Sequence, residues 1–416
     1  MITNLIFHID VNSAFLSWTA VKMLREGATV DIREIPAVIG GNQETRHGIV
    51  VAKSIPAKKY GIHTAEPIAS AKRKCPNLLV VSPEHSYYKE QSRKLMELLR
   101  SYTPIIEQVS IDECYLDYSS IQNSFLSPEE AANYIKKTIY ETFGFTVNIG
   151  ISDVKVLAKM ASDFQKPDKV HTLYRSEIQQ KMWPLPVEKL FMAGKSSVKT
   201  LHKLGIRTIG DLANSPLPIL ESHLKSHGLL LWQFANGIDD SVVEPVRDDA
   251  KGVGNSITLP EDYTKPDEID RILLQLSDKV AGRLRKISQK AKTVAVEVKY
   301  SDFQKNSRQE TFDRGIDSGT EIYHSVQGLF RELWNHKPVR LLGVRVTNLV
   351  DYDEPEQLDF ESLLQNAKQS TGRKKPSGEK IERLERALDQ IKMKFGDDAV
   401  KRASMIEENS NETDEE

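Results

Sequence analysis

The sequence predicts a multidomain α+β protein. Three observations carry that expectation. The chain has 416 residues, enough for two to four domains at about 150 residues each. Its 39% hydrophobic content suits a soluble chain with a real core. Strand-like runs such as "LIFHIDV" and "PIIEQVSIDECYLDY" are interleaved with helix-period segments, and a polar, turn-rich stretch, "DDSVVEPVRDDAKGVGNS" from Asp239 to Ser256, reads as a linker.

Other classes are set aside by composition. No window approaches the roughly 18 apolar residues of a membrane span. The opening "MITNLIFHIDVNS" stays apolar for only a few residues before Asp10, so no signal peptide is expected. Cys75 and Cys114 lack metal-type spacing and read as free thiols of a cytoplasmic protein. The net charge of -2 conceals an uneven distribution. Six acids and no base occupy the last ten residues; without them 57 bases face 53 acids. Between Lys279 and Arg308 nine Lys or Arg stand against only Glu297 and Asp302, a pattern that fits a polyanion-facing surface or a solvated helix and strand face.

Taken in chain order, "LIFHIDV" (Leu5–Val11) fits a central strand ending at Asp10. In "DVNSAFLSWTAVKML", Ser13 is placed to cap a helix whose Ala14, Phe15, Trp18, Val21 and Leu24 fall at helical spacing. Phe15, one turn in, is either core packing or a wall beside a nucleotide sugar that excludes a 2′-hydroxyl. "PIIEQVSIDECYLDY" reads as strand, turn, strand. Neighbouring side chains in a regular strand point to opposite faces, so Asp112 and Glu113 can converge only where a turn breaks the period of two. Asp10 on an adjacent strand end would complete three carboxylates, which need a cation; all-oxygen ligation suits Mg²⁺. Such sites also serve nucleases, cyclases and phosphatases, and "SIDE" alone fits a surface hairpin. In "GISDVKVLAKMASDFQKPDKV", Ser152 reads as an N-cap and Pro167 as the stop after Lys166. Lys155, Lys159 and Lys166 would then form one basic stripe within roughly 40°, suited to phosphates or simply solvated.

The ordered set "FHIDVNSAFLS", "RHGIVVAKSIPAKKYGI", "QVSIDECYLDYS", "NIGISDVKVLAKMASDFQKPDKV" and "LFMAGKSSVKTLHKLGIRTIGDLA" resembles a Y-family translesion DNA polymerase of the polymerase IV type, over roughly residues 4 to 350. The resemblance implies a right-hand polymerase: a palm sheet carrying the carboxylates, small fingers, a helix-hairpin-helix thumb and an α/β little finger. It places palm and fingers in 1–170 (fingers about 20–77), thumb in 171–238, linker in 239–254, little finger in 255–350, and a clamp-binding segment, amphipathic helix and acidic tail in 351–416. It implies template-directed, low-fidelity synthesis without proofreading, with Asp10, Asp112 and Glu113 as catalytic acids. These three and the Val11 carbonyl would hold two Mg²⁺ ions. Phe15 matches the sugar-discriminating aromatic, and Ala14, Phe15, Lys58 and Lys166 the dNTP-binding positions. The family often has a Tyr-x-x-Arg pair on the triphosphate; Ile55 and Lys58 stand there instead, so the bidentate fork is lost.

"LFMAGKSSVKTLHKLGIRTIGDLANSP" reads as helix, glycine turn, helix, and resembles a helix-hairpin-helix. Gly194 and Lys195 would grip DNA phosphate without reading sequence, supported by Lys199 and Lys203. Beyond the linker, alternating Val294, Val296, Val298 and Leu341, Val344, Val346 indicate a sheet half-covered by helices. The resemblance makes this the little finger, with Arg283, Arg285, Lys286 and Arg308 along DNA. Gln357, Leu358 and Phe360 resemble the peptide that enters a sliding-clamp pocket. Ile381, Leu384, Leu388, Ile391 and Phe395 mark a short amphipathic helix that must dock on the body or on a partner. The expected partners are primer–template DNA, dNTPs and a sliding clamp; no membrane is expected, and a monomer is. A two-metal nuclease and a non-catalytic DNA-binding relative are the rival readings.

Overall fold

The computed structural model describes residues 5–41, 48–245, 250–352, 354, 378–396 and 399–400. The described residues divide into two compact units, one holding 5–41 and 48–245, the other those from 250 onward. Among the described residues no helix is long and apolar enough to cross a membrane.

The first unit runs β1 (Ile6–Val11), α1 (Ala14–Arg25), β2 (Ala37–Gly40), β3 (Val50–Lys53), α2 (Ile55–Lys59), α3 (Ile68–Lys74), β4 (Leu79–Val81), α4 (His85–Arg100), β5 (Ile106–Gln108), β6 (Glu113–Asp117), α5 (Pro128–Phe143), β7 (Val147–Ser152), α6 (Lys155–Ser162) and β8 (Val170–Thr172). A helical part follows: α7 (Ile178–Lys181), α8 (Lys195–Lys203), α9 (Ile209–Ala213), α10 (Leu217–Leu224) and α11 (Ser226–Ala235). The main sheet has the order β5-β6-β1-β7-β8, and β3-β2-β4 form a smaller one. β1 is central, and its two faces differ. Phe7, Ile9 and Val11 enter the large core with Trp18, Tyr88, Ile135 and Ile139. Ile6, His8 and Asp10 alternate onto the other face, where Ile6 packs with Tyr115 and Ala158 of α6.

Local signals set the element ends unevenly. α5 begins on the Ser127 hydroxyl, which accepts from Glu130 N, and ends on Gly144 at φ 83°. Ser13 does not cap α1 by its side chain; it sits at φ 48°, and the Ser17 hydroxyl instead donates to Asn12 O at 2.6 Å. Nor does Ser152 cap α6: it closes β7 and donates to Leu173 O, while Asp239, 83 residues on, accepts Val156 N at 3.0 Å. α6 stops at Ser162 and not at Lys166. Asn148 is fully buried and donates to Ser162 O and Gln165 O, satisfying carbonyls left open where the helix stops. The single basic stripe therefore does not form, since Lys166 lies beyond the helix.

The second unit contains β9 (Gly252–Tyr263), α12 (Pro266–Lys286), β10 (Gln289–Tyr300), β11 (Lys305–Ile316), α13 (Gly319–Leu333), β12 (Val339–Asp351) and α14 (Gly378–Phe395). Its sheet has the order β11-β10-β12-β9. Val294, Val296 and Val298 pack against Leu273, Val280, Leu284, Val326 and Phe330 of the two helices. On β12 the buried apolar set is Val339, Leu342, Val344 and Val346; Leu341 belongs to the opposite face, beside a register shift between Val339 and Leu341. β9 begins inside the stretch read as linker. Two early glycines and Pro260 hide its period, and an edge strand tolerates that proline.

α14 docks on this unit by charge. Arg285, only 10% exposed, pairs with Glu385 at 3.1 Å and also with Asp389, and Glu385 accepts from the Ser318 hydroxyl and from Gly319 N at the start of α13. Of the apolar ridge that announces the helix, Leu384, Ile391 and Phe395 stay exposed and Leu388 is half-buried.

Candidate active site

Asp10 and Glu113 lie side by side where β1 ends and β6 begins, with Asp112 in the turn just before. The strands are antiparallel, with Asp10 facing Glu113 across the ladder. β5 turns into β6 through Val109–Asp112, closed by Val109 N and Ser110 N donating to Glu113 O. The Ser110 hydroxyl organises this turn: it accepts from Asp112 N and Glu113 N and donates to Asp112 Oδ1 at 2.7 Å. Val11 N donates to Asp112 O at 3.0 Å, tying the turn to β1 beside Asp10. The turn thus breaks the strand period at the two adjacent acids.

Two lysines compensate part of the charge. Lys159 Nζ lies 2.8 Å from Glu113 Oε2 and 3.5 Å from Asp10 Oδ2; Lys166 Nζ lies 2.9 Å from Asp10 Oδ1. Asp163 bridges them, at 3.4 Å from Lys159 and 2.8 Å from Lys166. Burial pulls both ammonium pKa values down, but the surrounding carboxylates outweigh it and the net shift is upward. Lys155 turns elsewhere, onto Glu107 at 2.6 Å.

The acids respond differently. Glu113 is held at a pKa of about 2, first by the neighbouring His8 Nε2 and then by Lys159, against burial. Asp112 is pushed above the ordinary carboxylate value by burial and by the charges of Asp10 and Glu113, against the Ser110 hydroxyl. It is the acid with most to gain from an added cation. Among the described residues no three His, Cys, Asp or Glu side chains already enclose one point. Two facing carboxylates and a third in the adjoining turn still form an all-oxygen set. It fits a hard divalent ion that completes its shell with water and substrate phosphate.

The sequence missed three supports of this site. His8, 1% exposed, lies on the Asp10 face of β1; its Nε2 is 3.5 Å from Glu113 Oε2 and its Nδ1 is 2.8 Å from the Ser162 hydroxyl. Burial lowers its pKa against the pull of Glu113. Asn12 and Asn148 form a buried amide pair at 3.0 Å. Asn12 Oδ1 accepts from Asp168 N and Asn148 Oδ1 from Lys169 N, so the pair holds the loop that carries Lys166.

The remaining residues lie as follows. Ala14 is buried at the start of α1, and Phe15 is half-buried, stacked on Tyr88 with centroids 4.6 Å apart and planes 9° apart. Ile55 and Lys58 are exposed on α2. Lys53 was not singled out by the sequence; burial and then the Lys58 charge depress its pKa. Gly194 precedes α8, where Lys195, Val198, Lys199, His202 and Lys203 line one surface depression. Arg283 is exposed and donates to Gly254 O, Lys286 is exposed, and Arg308 pairs with Glu332 at 2.7 Å. Arg285 does not join them, because α14 takes its guanidinium. Gln357, Leu358 and Phe360 lie outside the described residues.

Residues 9–163 match the impB/mucB/samB family and residues 250–360 the impB/mucB/samB family C-terminal domain. The chain is 42% identical to a DNA polymerase IV of Clostridium acetobutylicum, over 97% of this chain and 99% of the relative. It is 33% identical to DNA polymerase IV 1 of Bacillus subtilis, over 99% and 95% respectively. A solved Y-family DNA polymerase chimera shares the fold, with a TM-score of 0.73 at 24% identity, covering 83% of this chain and 99% of that one.

Proposed function

The chain belongs to the impB/mucB/samB family, with full-length relatives named DNA polymerase IV, and on that premise we propose that it is a DNA-directed DNA polymerase that copies past damaged template positions. The observation that carries the reading is the facing pair Asp10 and Glu113 with Asp112 in the adjoining turn. A nuclease or a purely DNA-binding relative accounts less well for the full set of acids and lysines within a family of polymerases.

In this reading Asp10, Asp112, Glu113 and the Val11 carbonyl would hold two Mg²⁺ ions. Bound there, such ions supply Lewis acidity: a lower pKa for the primer 3′-hydroxyl and neutralised charge on the reacting and leaving phosphates. The protein's own groups do the rest. Lys159 and Lys166 offer positive charge to the triphosphate, Lys166 from the loop fixed by Asn12 and Asn148. Lys58 offers a point charge in place of the bidentate fork. Phe15, braced by Tyr88, stands against the sugar and excludes a 2′-hydroxyl. Gly194 and Lys195, with Arg283, Lys286 and Arg308, hold the DNA backbone without reading sequence.

We further assign Gln357, Leu358 and Phe360 to a sliding clamp, on their pattern and their place after β12, and read the protein as a cytoplasmic monomer of low fidelity without proofreading. One gel tests both parts. With Mg²⁺, dNTPs and a labelled primer–template, the product lengthens; a shortened primer means a nuclease, and an unchanged one means a DNA-binding relative. Deleting Gln357–Phe360 lowers only the clamp-stimulated synthesis; an equal loss without clamp refutes the clamp assignment.

A further inference from the structure

Glu113 reaches its place through a residue that the reaction chemistry does not itself require. Its two polar partners both fall on Oε2: Lys159 Nζ at 2.8 Å and His8 Nε2 at 3.5 Å. Neither contact uses Oε1. The His8 ring is not free to choose this orientation, since its Nδ1 is 2.8 Å from the Ser162 hydroxyl at the end of α6. That hydroxyl has one hydrogen and two acceptors within 2.8 Å, His8 Nδ1 and Lys159 O. Donated to Nδ1, it leaves the imidazole hydrogen on Nε2, facing Glu113; donated to Lys159 O, it accepts from Nδ1–H and leaves Nε2 bare, so the inference below takes the first arrangement.

The reason Ser162 can reach His8 lies across the sheet. His8 is registered opposite Gly150 on β7. A Cβ at Gly150 would lie 2.0 Å from Ala158 O and 2.4 Å from Ser162 N. The missing side chain lets α6 lie directly on the sheet, with Ser162 over the imidazole and Lys159 over Glu113. Both supports of the carboxylate thus come from one helix, seated by one glycine.

We propose that His8, oriented by Ser162, is a positioning residue that fixes the Glu113 carboxylate by its Oε2 and so presents Oε1 to a divalent cation. The inference rests on the polymerase reading above, which makes Glu113 a metal ligand. A buried His that orients a ligand's carboxylate contributes to metal affinity without touching the metal; loss of such a partner typically weakens binding about 10- to 100-fold.

The test is Mn²⁺ alone, titrated into the full-length protein and followed by the electron paramagnetic resonance of free Mn²⁺, with thermal melting in parallel. His8→Leu keeps an apolar side chain of similar bulk and removes the donor; His8→Gln restores an N–H near the Nε2 position. The expected result is at least about 10-fold weaker Mn²⁺ binding in His8→Leu and recovery of most of that loss in His8→Gln. Wild-type affinity in a folded His8→Leu overturns the proposal. So does a His8→Gln as weak as His8→Leu, which would assign the effect to ring packing. Should His8→Leu fail to fold, Ser162→Ala releases the ring without altering the strand; weaker Mn²⁺ binding supports the proposal and wild-type affinity refutes it. The underlying reading fails separately, if the wild type binds no Mn²⁺ that Asp112→Ala abolishes; the proposal then falls with it.

Discussion

Replacing Gly150 by alanine should damage stability and chemistry together. The added carbon would lie 2.0 Å from Ala158 O, 2.4 Å from Ser162 N and 3.0 Å from Ala161 Cβ. Carbon atoms in good contact are about 3.5–4.0 Å apart, so α6 must lift by more than about 1 Å. No flexible side chain can yield, because the first two obstacles are backbone. Overpacking of this kind costs about 1–3 kcal/mol, and a rigid helix puts the cost near the upper figure. For a unit of this size that is a melting temperature lower by roughly 6–12 °C. The same lift moves Lys159 and Ser162 from Glu113 and His8, and a 1 Å misplacement in a reacting site costs about 100-fold in rate. Thermal unfolding by circular dichroism and single-nucleotide primer extension read the two effects. A variant that melts and extends like wild type would show that α6 is not seated as described. A variant that loses stability but keeps its rate would break the link between this helix and the acids.

Three further outcomes are expected. Asp112→Asn should abolish extension yet melt a few degrees higher than wild type in EDTA. Asp112 ionises less readily folded than unfolded, so its charge costs stability once the pH passes its ordinary value of 3.8, and the gain should vanish below that pH; an Asn variant that is no more stable at neutral pH refutes the electrostatic account. Phe15→Ala should lower discrimination against ribonucleotides by about 10- to 200-fold, measured as the ratio of kcat/KM for dNTP and rNTP, and unchanged selectivity would remove the sugar-wall role. Arg285→Ala should abolish hydrogen-exchange protection across Arg383–Phe395 while leaving the salt dependence of DNA binding as in wild type. A slope reduced by about one charge would return Arg285 to the DNA surface.

The sequence was informative where chemistry is local and poor where it depends on distant contacts. Asp10, Asp112 and Glu113 could be read because adjacent acids in a strand-turn-strand run need a reason. Ser110, two residues before Asp112, was within reach of the same argument: a serine in a tight turn is placed to bind the next amides. His8 looks like any residue of a buried strand, and its partner Ser162 is 154 positions away. Pro167 seemed to set the end of α6, but the helix stops earlier, where Asn148 satisfies Ser162 O and Gln165 O. In α14 the apolar spacing identified the helix and left open where it docks. The docking face is set by Glu385, which meets both a largely covered arginine and the open amide at the start of α13. β9 was obscured by glycines and a proline that only an edge position explains.

The central claim is that Asp10, Asp112 and Glu113 share divalent ions during strand growth. Anomalous diffraction from Mn²⁺ tests it most directly, in crystals of the full-length protein with a dideoxy-terminated primer–template and the matching dNTP. The account predicts anomalous peaks at about 2.1 Å from oxygens of all three carboxylates, with the triphosphate completing the shell. Peaks on the triphosphate alone, with the three side chains turned away from them, would contradict it.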